Sequence, residues 1–256
     1  MDADVFRMAS PLDVPSSSPI SASQIHVDPS EHDQGLKRIE WMLSQAKSHA
    51  LDIRNSALPS YGDLTSLNLG GLIRSSISDS ILTDIAVDYL SLLKTSSAIY
   101  ERNGDYALGL FSSGWCRYLD SASRRLCGCD DNKAALCSGK WLCHESCWTE
   151  ASQSAITTRD SVDIPCAGGL RLYAIPILAN NEVVGVINFG YGDPPRDPGE
   201  LMRIATAFKV DYQELYQLAM EYESRPPFII EIAKERLLSS ARLIGSMVES
   251  KLAERK

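Results

Sequence analysis

Residues 170–192, LRLYAIPILANNEVVGVINFGYG, read as two β-rich runs joined by a short turn. LRLYAIPIL and EVVGVINFGYG are dense in Ile, Val, Leu and aromatic residues, side chains that suit a pleated surface packed on neighbours. Between them, Ala179, Asn180 and Asn181 supply the reversal, because asparagine tolerates left-handed backbone better than most residues. A hairpin of core strands is therefore expected. Pro176 has no amide to donate, so its strand should have a free edge or an irregularity at that point. Gly185, Gly190 and Gly192 spaced through the second run indicate close backbone packing, not a phosphate loop.

Working outward, SAIYE (97–101) and YALGLF (106–111) form a second expected hairpin, with Asn103-Gly104 in its turn. Upstream, SISDSILTDIAVDYLSLLKTS (76–96) reads as a helix whose broad buried face carries Ile77, Ile81, Ile85 and Leu92, with Leu82, Val87 and Leu93 near them. Pro59 and Gly62 lie in a loop before it. After the strands, GDPPRDPGE breaks the sheet and a helical pattern runs from Pro198 to Tyr222.

Two further stripes lie at the ends. Leu36, Ile39, Leu43, Ala46, Ala50 and Ile53 recur in steps of three and four within an expected helix over 34–57. Ile230, Ala233, Leu237, Ser240, Ile244 and Met247 do the same in a helix over 226–256, which opens on two prolines. The C-terminal stripe could pack on its own domain, but two chains side by side would bury both stripes, and a homodimer through the terminal helices is the reading placed first. Residues 1–33 are rich in Ser, Pro and Asp, hold too little apolar area to offset the entropy of ordering, and are expected to form a disordered tail.

At 256 residues and 44% hydrophobic content, the chain can bury a large core without covalent staples. Its 33 acidic and 25 basic residues give a formal charge of −8, which offers phosphate backbones and anionic lipid no general attraction. Nucleic-acid binding is not expected. No stretch reaches the roughly 18 apolar residues of a membrane span, and the N-terminus shows no apolar run like the core of a secretory signal. A cytoplasmic location follows as the expectation. In a reducing compartment grouped cysteines are more often metal ligands or redox thiols than disulfides.

That grouping is dense. LCGCDDNKAALCSGKWLCHESCW (126–148) holds five of the seven cysteines. Cys143 and Cys147 are four apart in a helix-compatible stretch and share a face. Cys127 and Cys129 flank a glycine, while Cys116 and Cys166 are placed to close the cluster from a neighbouring helix and a strand entrance. Cys116, Cys129, Cys143, Cys147 and Cys166 are thus the candidate metal ligands, for a soft ion such as zinc or for an iron–sulfur cluster. Their spacing follows no standard zinc-ribbon or ferredoxin pattern. The competing reading is that several are small buried apolar residues, which is preferred for Cys137. His144 reads first as a polar helix-surface residue, then as a metal ligand. Trp115, Trp141 and Trp148, with Phe111 and Tyr118, are candidate walls of an apolar pocket, or else ordinary core.

The run from Cys143 to Pro195 resembles the PocR-type ligand-binding domain, a GAF/PAS-like sensory module at the front of bacterial and archaeal histidine kinases and regulators. The resemblance rests on Cys147 in a helix, CAGGL at 166–170, YAIPI at 173–177 and GVINFGYG at 185–192, with GWC at 114–116 matching an earlier cysteine position. It covers about residues 75–210. It implies an α+β fold, a GAF/PAS-like antiparallel sheet flanked by helices, with the sensory domain at 58–222 and the terminal helices as signalling elements. It also implies a non-enzymatic sensor of a small molecule, a metal or redox state, with a histidine kinase or regulator output beyond Lys256. The Cys143-His144 pair resembles the phytochrome attachment site for a linear tetrapyrrole in those two residues alone, which ranks that cofactor behind a metal. The Cys-x-x-Cys-His of haem attachment is absent. The alternative function is a thiol-redox or metal-dependent enzyme, although no hydrolase elbow, Walker loop, zincin motif or kinase catalytic loop is present.

Overall fold

The computed structural model describes residues 59–255. The expected tail over 1–33 and helix over 34–57 lie outside the described residues.

The 170–192 hairpin organises the sheet. Strands β4 (Arg171–Ala179) and β5 (Glu182–Tyr191) pair antiparallel. Asn180 and Asn181 both take left-handed backbone between them (φ 49° and 61°), the geometry of a tight primed turn. β1 (Ser96–Glu101) and β2 (Tyr106–Phe111) form the second hairpin, with Gly104 at φ 95° in its turn. β3 (Val162–Pro165) completes a five-stranded antiparallel sheet in the order β2-β1-β5-β4-β3. Pro176 meets both forms of its expectation. Pairing with β3 ends at Val162 opposite Ala174, so β4 has a free edge at Pro176, and a bulge follows between Ile177 and Leu178.

Both faces of the sheet are covered, which is why β5 is buried at every residue but its first. On one face lie helices α1 (Leu72–Ser76), α2 (Asp79–Leu90) and α8 (Pro227–Glu254). On the other lies α5, which begins over Leu142–His144, widens to a π-helix over Glu145–Ser152 and continues over Gln153–Thr158. Helices α3 (Gly114–Leu126) and α4 (Asn132–Leu136) precede it, and α6 (Pro198–Phe208) and α7 (Tyr212–Glu221) pack beside α3. Among the described residues no helix is long and apolar enough to cross a membrane.

Three expectations are corrected. The buried face of α2 carries Leu82, Ala86, Tyr89 and Leu90, while Ile81 is 41% exposed. Ile77 is buried but caps the preceding helix, and a strict step of four drifts around a helix of 3.6 residues per turn. The helical pattern over 198–222 is two helices. Lys209 ends α6 in a left-handed conformation, and the Asp211 side chain starts α7 by accepting the Glu214 amide. The third correction concerns α8. Ala233, Leu237, Ser240 and Ile244 of its heptad-spaced stripe are buried against the chain's own β4 and β5. Periodicity specifies a stripe but not what covers it. Here the sheet does, and so closely that a Cβ on Gly245 would overlap the Leu178 carbonyl oxygen.

Ile244 is fully buried within the single chain. Ile244→Asp should therefore lower the unfolding free energy by about 4 kcal/mol or more, the cost of an unpaired charge in a core. Denaturant titration measures it. A variant that keeps the parental midpoint but loses solution mass would instead place Ile244 between two chains.

Candidate functional site

Three elements bring cysteines to the face opposite α8. The Ser113 hydroxyl accepts the Cys116 amide at 2.9 Å and so starts α3, setting Trp115 and Cys116 in its first turn. The Trp115 indole donates to the Gly168 carbonyl at 3.0 Å. Gly168 belongs to the CAGGL loop between β3 and β4. That loop closes on itself, with the Cys166 amide donating to the Leu170 carbonyl at 2.7 Å and the Gly169 amide to the Cys166 carbonyl at 3.0 Å. Gly169 has φ 81°, and a Cβ on Gly168 would lie 2.9 Å from the Leu119 side chain. The two glycines thus let the loop turn tightly and lie flat on α3.

The third element is α5. Its Ser146 hydroxyl accepts the Ala167 amide at 3.0 Å, tying the helix to the same loop. In the π segment the Gln153 amide reaches back five residues to Trp148. The Cys147 carbonyl also accepts from the Ser152 hydroxyl at 2.6 Å and the Asn188 side-chain amide at 3.2 Å. Such widened turns occur mostly as single turns and often at functional sites.

Together these elements enclose a cavity of about 50 Å³ lined by Cys116, Cys143, Cys147 and Cys166, with Phe111, Trp115, Leu119 and Asp120 among its other walls. A smaller adjoining space shares Phe111, Asp120, Cys143 and Cys147 and adds Tyr100, Tyr106, His144 and Asn188. Burial pushes the Cys143 and Cys147 thiols well above their ordinary range and Cys166 up to about 11. Such thiols are protonated at neutral pH and poor nucleophiles. Burial also raises the Asp120 carboxyl to about 6, against the opposing effect of hydrogen bonds from the Tyr61 hydroxyl and the Trp141 indole.

Four of the five candidate ligands therefore meet, and Phe111 and Trp115 join them. Cys129 does not. It lies after α3, its thiol directed at the Asp131 carbonyl. Cys137, expected as buried, is exposed where it caps the end of α4. His144 is not a surface residue. It is buried, its Nδ1 lies 3.1 Å from the Tyr106 hydroxyl, and burial lowers its pKa to about 4, so the ring is neutral. Trp141 supports the site indirectly, donating to Asp120 at 2.8 Å and packing edge-on against Tyr61. Trp148 packs on the β1–β2 turn at Gly104 and on Tyr100, and Tyr118 donates to Glu214 at the surface.

The residues that sequence reasoning missed are Asp120 and Asn188. Asp120 stands four after Cys116 on α3, a helical spacing that puts both on one face. All seven cysteines are free thiols. Among the described residues, no group of three or more His, Cys, Asp or Glu is already arranged to hold a metal ion.

Because the folded carboxyl of Asp120 titrates near 6 and an unfolded one near 3.9, the native state binds the extra proton between those values. Its charge is a burden above pH 6 that is relieved as pH falls through that window. Asp120→Asn should thus gain stability relative to the parent as pH rises from 4 to 7, by on the order of 3 kcal/mol. Paired chemical-denaturation curves at the two pH values measure it. A constant difference would place the carboxyl outside this buried setting.

Two comparisons found nothing: no curated protein and no solved structure matches the chain. The family model for the sensory domain found in PocR matches residues 76–253. That range holds the whole sheet and the four-cysteine cavity, and extends beyond the expected 210 to take in almost all of α8. The match covers most of the sequence, and the chain belongs to the family of the PocR sensory domain.

Proposed function

We propose that this sensory domain reads its signal at the cavity of Cys116, Cys143, Cys147 and Cys166, and that the four thiols hold a soft metal ion or an iron–sulfur cluster. The supporting observation is the convergence itself. Cysteines from the start of α3, from α5 and from the β3–β4 loop line one small space, while the other three cysteines do not. Four sulfur donors with apolar walls suit a thiophilic group. A space of about 50 Å³ has room for a few water-sized groups, which favours an ion or compact cluster over a linear tetrapyrrole. The bound group would supply Lewis-acid or one-electron character that the side chains lack.

The thiols are not yet gathered into a ligand set, so binding must draw them inward. Cys166 is the mobile partner in this reading, because it sits in a loop and Cys143 and Cys147 are fixed on a helix. Movement of that loop reaches α8 through β3. Asp163, three residues before Cys166, accepts from the Tyr191 hydroxyl at 2.7 Å, from Arg171 Nε at 2.8 Å and from Lys234 Nζ of α8 at 3.1 Å. Lys234 also lies over the rings of Tyr191 and Tyr173, at 4.5 and 5.1 Å. The ligand shifts the α8 packing only by the difference in its affinity for the two arrangements. A kinase or regulator output coupled to α8 would receive that shift. Pairing of two chains through α8 would use its outward side, where Leu243 is half exposed. Burial holds these thiols protonated, which weighs against a thiol-redox enzyme; a metal ion would have to displace those protons on binding.

Metal analysis and the absorbance spectrum of protein purified without oxygen test the site. About one ion or cluster per chain is expected, falling at least severalfold in Cys147→Ser and Cys166→Ser. Parent protein that takes up no metal or cluster, as isolated or on reconstitution, removes the reading.

The relay has its own check. Lys234→Met should leave metal content unchanged while abolishing the metal-dependent change in amide hydrogen exchange along α8. An α8 response equal to the parent's would exclude this route.

A further inference from the structure

A second and larger cavity, about 350 Å³, lies on the opposite face of the sheet from the cysteines, wedged between β4 and α8. Its origin is the early end of β3. Past the pairing of Val162 with Ala174 the chain swings away through Ser161 and Asp160 to Arg159, leaving the β4 edge uncovered. Arg159 holds this detour, with left-handed backbone at φ 58° and its guanidinium donating to the Asn181 carbonyl at 2.6 Å. Two helix–strand contacts bracket the wedge. Lys234 lies against Tyr173 at one end, and Gly245 meets the Leu178 carbonyl at the other. Between them Leu238, Ala241 and Arg242 line the helix side.

The wedge has two kinds of surface. Its floor is apolar, with Leu178 and Leu238 40% and 39% exposed side by side across the wedge. Its rim carries Arg159 and Arg242, offset in part by Asp160. Arg242 is exposed and makes no hydrogen bond or ion pair among the described residues. The volume falls in the range of small-molecule sites, about 300–1,000 Å³. A guanidinium beside an apolar floor matches a carboxylate on an aliphatic body, because the planar fork takes both oxygens while the chain removes Leu178 and Leu238 from water.

We propose that this wedge is a second effector site, for a small aliphatic monocarboxylate whose head pairs with Arg242 and Arg159 and whose body lies on Pro176, Leu178 and Leu238. The site is independent of the cysteine reading. Its occupant sits directly between α8 and the sheet, so it biases the packing of the same helix from a different place.

Octanoate titrated into the full chain, followed by calorimetry and by hydrogen exchange along α8, is the test. Binding with added protection of α8 is expected. Arg242→Gln and Leu238→Gln, both at exposed positions and expected to keep the parental unfolding midpoint, should each weaken octanoate about tenfold, the scale of one charge-assisted hydrogen bond or one buried aliphatic side chain. Cys147→Ser should bind octanoate as the parent does. Absence of octanoate binding overturns the proposal, as does parental affinity in both variants. Equal binding of octanol would remove the role of the arginines, and equal binding of inorganic phosphate that of the floor; either overturns it as well.

Discussion

The arrangement of the cysteine face hangs on one buried amide, Asn188, in the middle of the central strand. Its Oδ1 accepts the Ala98 amide at 3.3 Å, and its Nδ2 donates to the Cys147 carbonyl at 3.2 Å and the Ser152 hydroxyl at 3.0 Å. A side-chain amide sealed from water must find such partners or cost the fold its desolvation. By satisfying itself on α5, Asn188 fixes where the widened turn lies on the sheet and hence where Cys147 and Cys143 point. An apolar residue of similar size would leave the Cys147 carbonyl with one partner fewer and the helix free to slide.

The sheet then acts as a partition. Cysteines, Asp120 and His144 lie on one side, and α8 with its stripe on the other. The relay proposed above needs no side chain to pass through the sheet, because its route runs around the edge. β3 is the short outer strand, and through Asp163 it holds Lys234 of the helix while its next residues form the cysteine loop. An edge strand paired on one side only is easier to displace than β5, held by neighbours on both.

Much of the fold was legible because its signals are local. Asn180-Asn181 and Asn103-Gly104 announce hairpins through turn chemistry, and Pro176 marks a free edge through a missing donor. What failed was partner identity. The α8 stripe has the spacing of a coiled-coil seam, yet a flat apolar sheet satisfies it equally, and nothing within the helix distinguishes the two. The same holds in the site. Of the five cysteines grouped by residue type and rough placement, Cys116, Cys143, Cys147 and Cys166 line one cavity and Cys129 lies apart. His144 is buried against Tyr106, 38 positions earlier at the start of β2, so no reading of its own neighbourhood shows it. Cys137 misled for the same reason, since a cysteine beside alanines looks apolar until the helix ends at it.

The double burial of β5 bears on how relatives of this chain are recognised. A strand packed on both faces admits few substitutions, and GVINFGYG adds glycines whose missing side chains make room for Tyr100 and Thr95. Such a run drifts slowly for reasons of packing alone. A match in this run therefore reports a shared architecture and carries no information about what the cavity beside Cys116 and Cys166 receives.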